Sequence, residues 1–233
     1  MAYKKKPSRK ELLKEPDEFL SLSRRMLQFT VIHKKSITIA AAAFFVLLLA
    51  VAGFRYHMVR TEDRAFGQLR EASAIYEAAS VGKSALEAQR SAAEAFERLF
   101  ARYGGKAAAR IGRVIYADIC YRAGDPKKAV ELYTAALESF SEDPALSSLI
   151  HSGLGYAWEA SGDLEQAAAS FRKVAEGSDS IFRDDALFQL ARISERMGKM
   201  AEGAKLYSTL PAEYPASLFS KIAKEKAIQD GGA

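Results

Sequence analysis

Between Lys35 and Arg55 the chain carries no charge, and the run Ser36–Phe54 (SITIAAAAFFVLLLAVAGF) constrains the molecule more than any other feature. At 1.5 Å per helical residue a run of this length reaches roughly 28 Å, about the thickness of a bilayer's hydrocarbon core. Lipid offers no hydrogen-bond partners, so a lone spanning segment has to satisfy its own backbone as a helix. A buried core helix is the competing assignment. It fits poorly, because the run has no polar face and no other stretch is comparably apolar. Residues 36–54 are therefore expected to form a single transmembrane helix.

Charge on the two flanks orients that helix. Residues 1–35 hold ten Lys/Arg against four acids, whereas the far flank offers Arg55, Arg60 and Arg64, the last two straddling Glu62 and Asp63. Cations concentrate on the cytoplasmic side of a span, so the N-terminus is expected in the cytoplasm and residues 55–233 across the membrane, in a bacterium the periplasm. Ala50-Val51-Ala52 has the small-x-small form of a signal-peptidase site. The long lead before it and the length of the apolar run favour an uncleaved anchor.

The net charge of +5 is a property of this lead, which contributes +6 and leaves −1 for everything after the span. A nucleic-acid partner would want a basic face on the folded domain, and none is implied. Cys120 is the only cysteine, so no intrachain disulfide can form. Within an apolar helical pattern it reads as inert core. In the basic lead, Pro16 opens an expected helix on which Phe19, Leu22, Met26 and Phe29 form one apolar stripe. That stripe suits the inner leaflet or a membrane partner, or is a passive lead into the span.

Beyond the span, residues 55–233 are rich in Ala, Leu, Glu, Arg and Lys with helical periodicity, and the pattern repeats. Gly124, Gly162 and Gly198 lie 38 and 36 residues apart. Each is followed by a similar second-helix pattern: Ala129 with Tyr133 and Ala136, Ala167 with Phe171 and Val174, Gly203 with Tyr207 and Leu210. Ala92, Phe96 and Leu99 form an earlier, weaker copy. Ala117, Gly155 and Ala191 are small where a first helix meets its partner. Tyr133, Phe171 and Tyr207 are large where the gap between successive hairpins must be filled. Gly124 and Gly162 can end helices in left-handed turns, and Asp125 and Asp163 can cap the next.

In these positions the chain resembles the tetratricopeptide repeat, a helix–turn–helix unit of 34 residues. The resemblance is good from Arg110 to Pro215 and weak from Thr61 to Gly105. Each unit carries two to four extra residues, expected in the loops between repeats; Tyr116 stands where Leu is usual, and Gly203 is a weak choice inside a helix. The expected fold is all-α: a transmembrane helix, then a right-handed solenoid of about four helical hairpins closed by a capping helix over Ser217–Gln229.

No catalytic chemistry is legible. Gly82-Lys83-Ser84 looks like the end of a phosphate-binding loop, but Glu77 occupies the position of the required upstream glycine and no strand precedes it. His33, His57 and His151 are scattered, and no cluster has metal-ligand spacing. Asp184-Asp185 reads as a charge pair at a helix N-terminus. The expectation is no enzyme, no cofactor and no metal.

What remains is surface. First helices of such repeats line a concave groove that takes peptide segments. The register assigns Ile111, Val114, Asp118, Tyr121 and Arg122 to it in one unit, then Leu149, Ser152, Tyr156 and Glu159, then Asp185, Phe188, Arg192, Glu195 and Arg196. Asp118, Tyr121, Arg122, Tyr156, Glu159, Phe188, Arg192 and Arg196 are the expected partner-binding residues. Tyr121 and Arg192, as groove residues, are expected to be replaceable without loss of stability.

An inward N-terminus, one span, a far-side repeat domain and the Pro-Asp-Glu-Phe-Leu lead at 16–20 together resemble the YfgM-type family, ancillary subunits of the Sec translocon. The resemblance implies a scaffold in the inner membrane whose partners are translocon subunits, a membrane-anchored periplasmic chaperone and exported chains. The alternative is cell-envelope coordination of the Tol–Pal-associated repeat type, whose members are cleaved and soluble.

Overall fold

The structure is a computed structural model and describes residues 26–177 and 181–231. The lead helix expected from Pro16, with Phe19 and Leu22, lies outside the described residues. Met26 and Phe29 fall within them, on the helical stretch 26–32, and both are exposed.

The elements that follow are all helices: α1 Lys34–Ser80, α2 Ala85–Tyr103, α3 Ala107–Arg122, α4 Pro126–Phe140, α5 Pro144–Ser161, α6 Leu164–Glu176, α7 Arg183–Arg196, α8 Met200–Glu213 and α9 Ser220–Gly231. The chain divides into two compact units, Met1–Arg60 and Thr61–Ala233. In the first, every residue from 36 to 54 is exposed, and α1 is the one described helix long and apolar enough to cross a membrane.

In the second unit each helix from α2 to α9 packs on the next in sequence, α5 also approaches α3 slightly, and Ala65, Leu69 and Ala72 of α1 share a core with α2. Contact confined to neighbours is the mark of a solenoid. Four hairpins follow one another: the C-terminal part of α1 with α2, α3 with α4, α5 with α6, and α7 with α8; α9 closes the series. The closing helix starts at Ser220 rather than the expected Ser217, whose hydroxyl donates to Asp184 at 2.6 Å instead.

Local chemistry sets the turns. Gly124 and Gly162 take positive φ of 81° and 87°. Asp125 and Asp163 then cap α4 and α6, their side chains accepting from the N–H of Lys128 at 3.1 Å and of Gln166 at 3.0 Å. Ser84 caps α2 in a reciprocal box with Glu87, so Gly82-Lys83-Ser84 is a helix start and not a phosphate loop.

Packing follows the small–large pattern. Ala117, Ala129, Ala167 and Ala191 are fully buried, and Tyr133, Phe171 and Tyr207 are buried with them. A Cβ on Gly153 would sit 2.5 Å from the Tyr133 ring, so Tyr133 fills the space between α4 and the next hairpin as expected. Phe171 packs within its own hairpin, where a Cβ on Gly155 would meet its ring at 2.6 Å between α5 and α6, and shares a core with Leu187 and Leu190 of the next. Gly203, weak by helix propensity, is selected by closeness, since a Cβ there would meet the Ala191 carbonyl at 3.1 Å.

The extra residues per unit are not confined to loops between repeats. Between α4 and α5 only Ser141–Asp143 intervene, and α5 itself is 18 residues long against 14 for α7. Tyr116, standing where Leu is usual, stacks on Phe96 at 4.6 Å between ring centroids and accepts from Gln89 at 2.9 Å. Cys120 is fully buried, and burial pushes its thiol up to about 11, away from the reactive range.

Candidate functional site

The first helices α3, α5 and α7 each place an aromatic side chain on one shared face, about a turn earlier in each successive helix, and the three line one hollow. Tyr121 from the end of α3 lies 6.4 Å from Tyr156 on α5, measured between ring centroids. Phe188 on α7 completes the group and is itself fixed from behind, stacked on Phe219 at 4.8 Å and edge-on to Tyr207 at 5.8 Å. With Glu159, Ala160, Gln189, Arg192 and Arg196 they line an open hollow of about 500 Å³.

A polar network stiffens one wall. The Tyr156 hydroxyl donates to Asp185 at 2.6 Å, and Gln189 donates both to Asp185 at 3.0 Å and to the Tyr156 oxygen at 3.2 Å. Arg192 grips Glu159 with two nitrogens, at 2.8 and 2.6 Å, and also donates to Gln189. Arg196 reaches the same carboxylate. The network therefore ties α5 to α7 across more than one helix of sequence. Burial, and then the Asp185 acceptor, push the Tyr156 phenol well above its ordinary range, so it stays a donor. The hydrogen bond to Glu159 raises the Arg192 guanidinium in the same way, and it remains charged at any physiological pH.

Of the expected groove residues, Tyr121, Tyr156, Glu159, Phe188, Arg192 and Arg196 line the hollow. Asp118 and Arg122 do not; their exposed side chains pair with each other at 2.8 Å on α3. Ser152 is buried, and Glu195 accepts from Tyr207 at 3.1 Å and pairs with Lys226 at 3.7 Å. Asp185 is more than a helix-end charge, being the acceptor at the centre of the network. Arg192 is not the freely replaceable surface residue expected, because Glu159 is only 14% exposed and depends on it. Ala160 and Gln189 were not foreseen. Gln189 was the more findable, since it lies one turn from both Asp185 and Arg192.

The arrangement suits binding better than chemistry. Aromatic faces beside a rigid, charge-compensated wall can take an apolar side chain and orient the backbone that carries it. No group of His, Cys, Asp and Glu among the described residues is arranged to hold a metal ion.

Family profiles described as tetratricopeptide repeat match residues 82–144 and 121–181, and another of the same description matches 185–217. Together they cover more than half of the chain. No curated protein matches it.

Proposed function

The chain belongs to the tetratricopeptide-repeat family, and on that premise we propose that it is a non-enzymatic scaffold, anchored in a bacterial inner membrane, whose repeat domain holds other proteins on the periplasmic side. The observation that carries this reading is the hollow lined by Tyr121, Tyr156 and Phe188, one from the first helix of each of three successive repeats. Repeat proteins of this family bind protein segments, and aromatic side chains supply most of the energy at such surfaces.

The apolar run 36–54 supplies the anchor, and the cation-rich lead favours a cytoplasmic N-terminus. Tethering to a membrane raises the effective concentration of a weak groove for partners in the same membrane. Resemblance to the YfgM-type family supports a place beside the Sec translocon, with translocon subunits, a membrane-anchored chaperone and exported chains as partners.

Recovery of the full chain from membranes in mild detergent tests the reading. Two variants are compared with wild type: Tyr121→Ala, which removes one aromatic wall, and Ala160→Arg, which fills the hollow from an exposed position. Translocon subunits or a membrane-anchored chaperone should accompany wild type and be depleted from both variants. Enrichment of division or outer-membrane components would transfer the protein to envelope coordination. Equal recovery from all three would remove the hollow from any role in binding.

A further inference from the structure

A second cavity, of about 430 Å³, opens where α4, α5 and α6 converge. It is separate from the aromatic hollow and shares no residue with it. One face of α5 supplies Pro144, Ser147, Ser148 and His151, at spacings of three and four residues that bring them into one row. Leu137 closes the cavity from α4, and Lys173 reaches it from α6.

The polar groups here are poorly used by the fold itself. Ser148 is nine-tenths buried and lines the cavity. The His151 Nδ1 is buried and without a partner among the described residues. Among the described residues Lys173 forms no ion pair and no carboxylate lines the cavity. Buried polar groups are nearly always satisfied, so the unsatisfied His151 nitrogen in a residue that lines a cavity points to a missing ligand. The first amides of α5 do not supply the site, because Asp143 already accepts from Ala145 and Leu146 at 3.1 Å each.

We propose that this cavity binds a small oxyanion, a phosphate or carboxylate group, held by the Lys173 ammonium and by the Ser147 and Ser148 hydroxyls against the His151 ring. The complement of donors fits that chemistry: one positive charge, two hydroxyls and an imidazole, with apolar Leu137 and Pro144 also lining the cavity. Burial, and then the charge of Lys173, hold the His151 imidazole below its ordinary value and thus neutral in the empty site. An anion that compensates Lys173 reverses the second influence, so binding and protonation of His151 are linked.

The test is nuclear magnetic resonance of the full chain, labelled at histidine, in detergent micelles. Inorganic phosphate and acetate are titrated separately against sodium chloride at matched ionic strength. One of them should shift the His151 ring signals saturably in the millimolar range and raise the pH at which that ring titrates, while His33 and His57 follow the chloride control. Saturation by phosphate alone assigns a tetrahedral ligand, and by acetate a planar one. Lys173 is exposed, so Lys173→Gln should fold normally and weaken binding about tenfold. Ser148→Ala should weaken it several-fold with the fold intact by circular dichroism. No saturable shift with either anion, or the same shift in Lys173→Gln, would overturn the assignment.

Discussion

Replacing Arg192 by Met asks whether the wall of the aromatic hollow is structural. Met keeps the apolar stem, so the loss is confined to the guanidinium. That group makes two hydrogen bonds to Glu159, at 2.8 and 2.6 Å, and others to Gln189. Stranding one partner of a fully buried pair costs about 3–5 kcal/mol. Here the cost is smaller, since Arg192 is 36% exposed and Arg196 still serves the carboxylate. About 2 kcal/mol is expected, which for a domain of this size lowers the melting temperature by about 4–8 °C. Thermal unfolding of the full chain in detergent, followed by circular dichroism, reads the shift. Combined with Glu159→Gln, the double variant should lose about 1–2 kcal/mol less than the sum of the singles. A melting temperature unchanged in Arg192→Met, with additive singles, would show that the network is decoration on an otherwise sufficient core.

Glycine substitutions separate packing from propensity. Gly155→Ala should cost about 1–3 kcal/mol, because its Cβ would press on the Phe171 ring at 2.6 Å. Gly67→Ala meets nothing within 4 Å and should instead stabilise by about 0.5–1 kcal/mol; chemical denaturation compares the two. Ala129→Leu, at a fully buried site, should also cost about 1–3 kcal/mol, and wild-type melting there would contradict the repeat register. With its thiol near 11, Cys120 is about one part in a thousand thiolate at pH 8, so maleimide should label it only after unfolding; rapid labelling of the native chain would place it at the surface.

Features that depend on residues near in sequence were legible before the structure. Gly124 and Asp125 announce a left-handed helix end followed by a cap, because both requirements are met within a few residues. The alternation of Ala129 with Tyr133, and of Ala167 with Phe171, encodes hairpin packing at helical spacing. Less legible was anything set by partners far along the chain. Gly153 becomes necessary only once Tyr133 arrives across the next interface, and Gly203 only once α8 closes on the Ala191 carbonyl. The aromatic members of the hollow were readable from repeat register. The network behind them was not: Tyr156 and Asp185 are 29 residues apart, and Glu159 and Arg192 are 33. Register assigns residues to a face, but it does not tell which charges on that face already satisfy one another.

The central claim is that proteins dock in the aromatic hollow, and site-specific photo-crosslinking in native membranes tests it most directly. The probe belongs at Tyr121 and at the exposed Ala160 on the rim, not at Arg192, whose loss would disturb the wall. A third probe at the exposed Glu138 of α4, outside the hollow, serves as control. The account predicts the same protein adducts from Tyr121 and Ala160, identified by mass spectrometry and absent from Glu138. Adducts from Glu138 alone, or from none of the three, would contradict it.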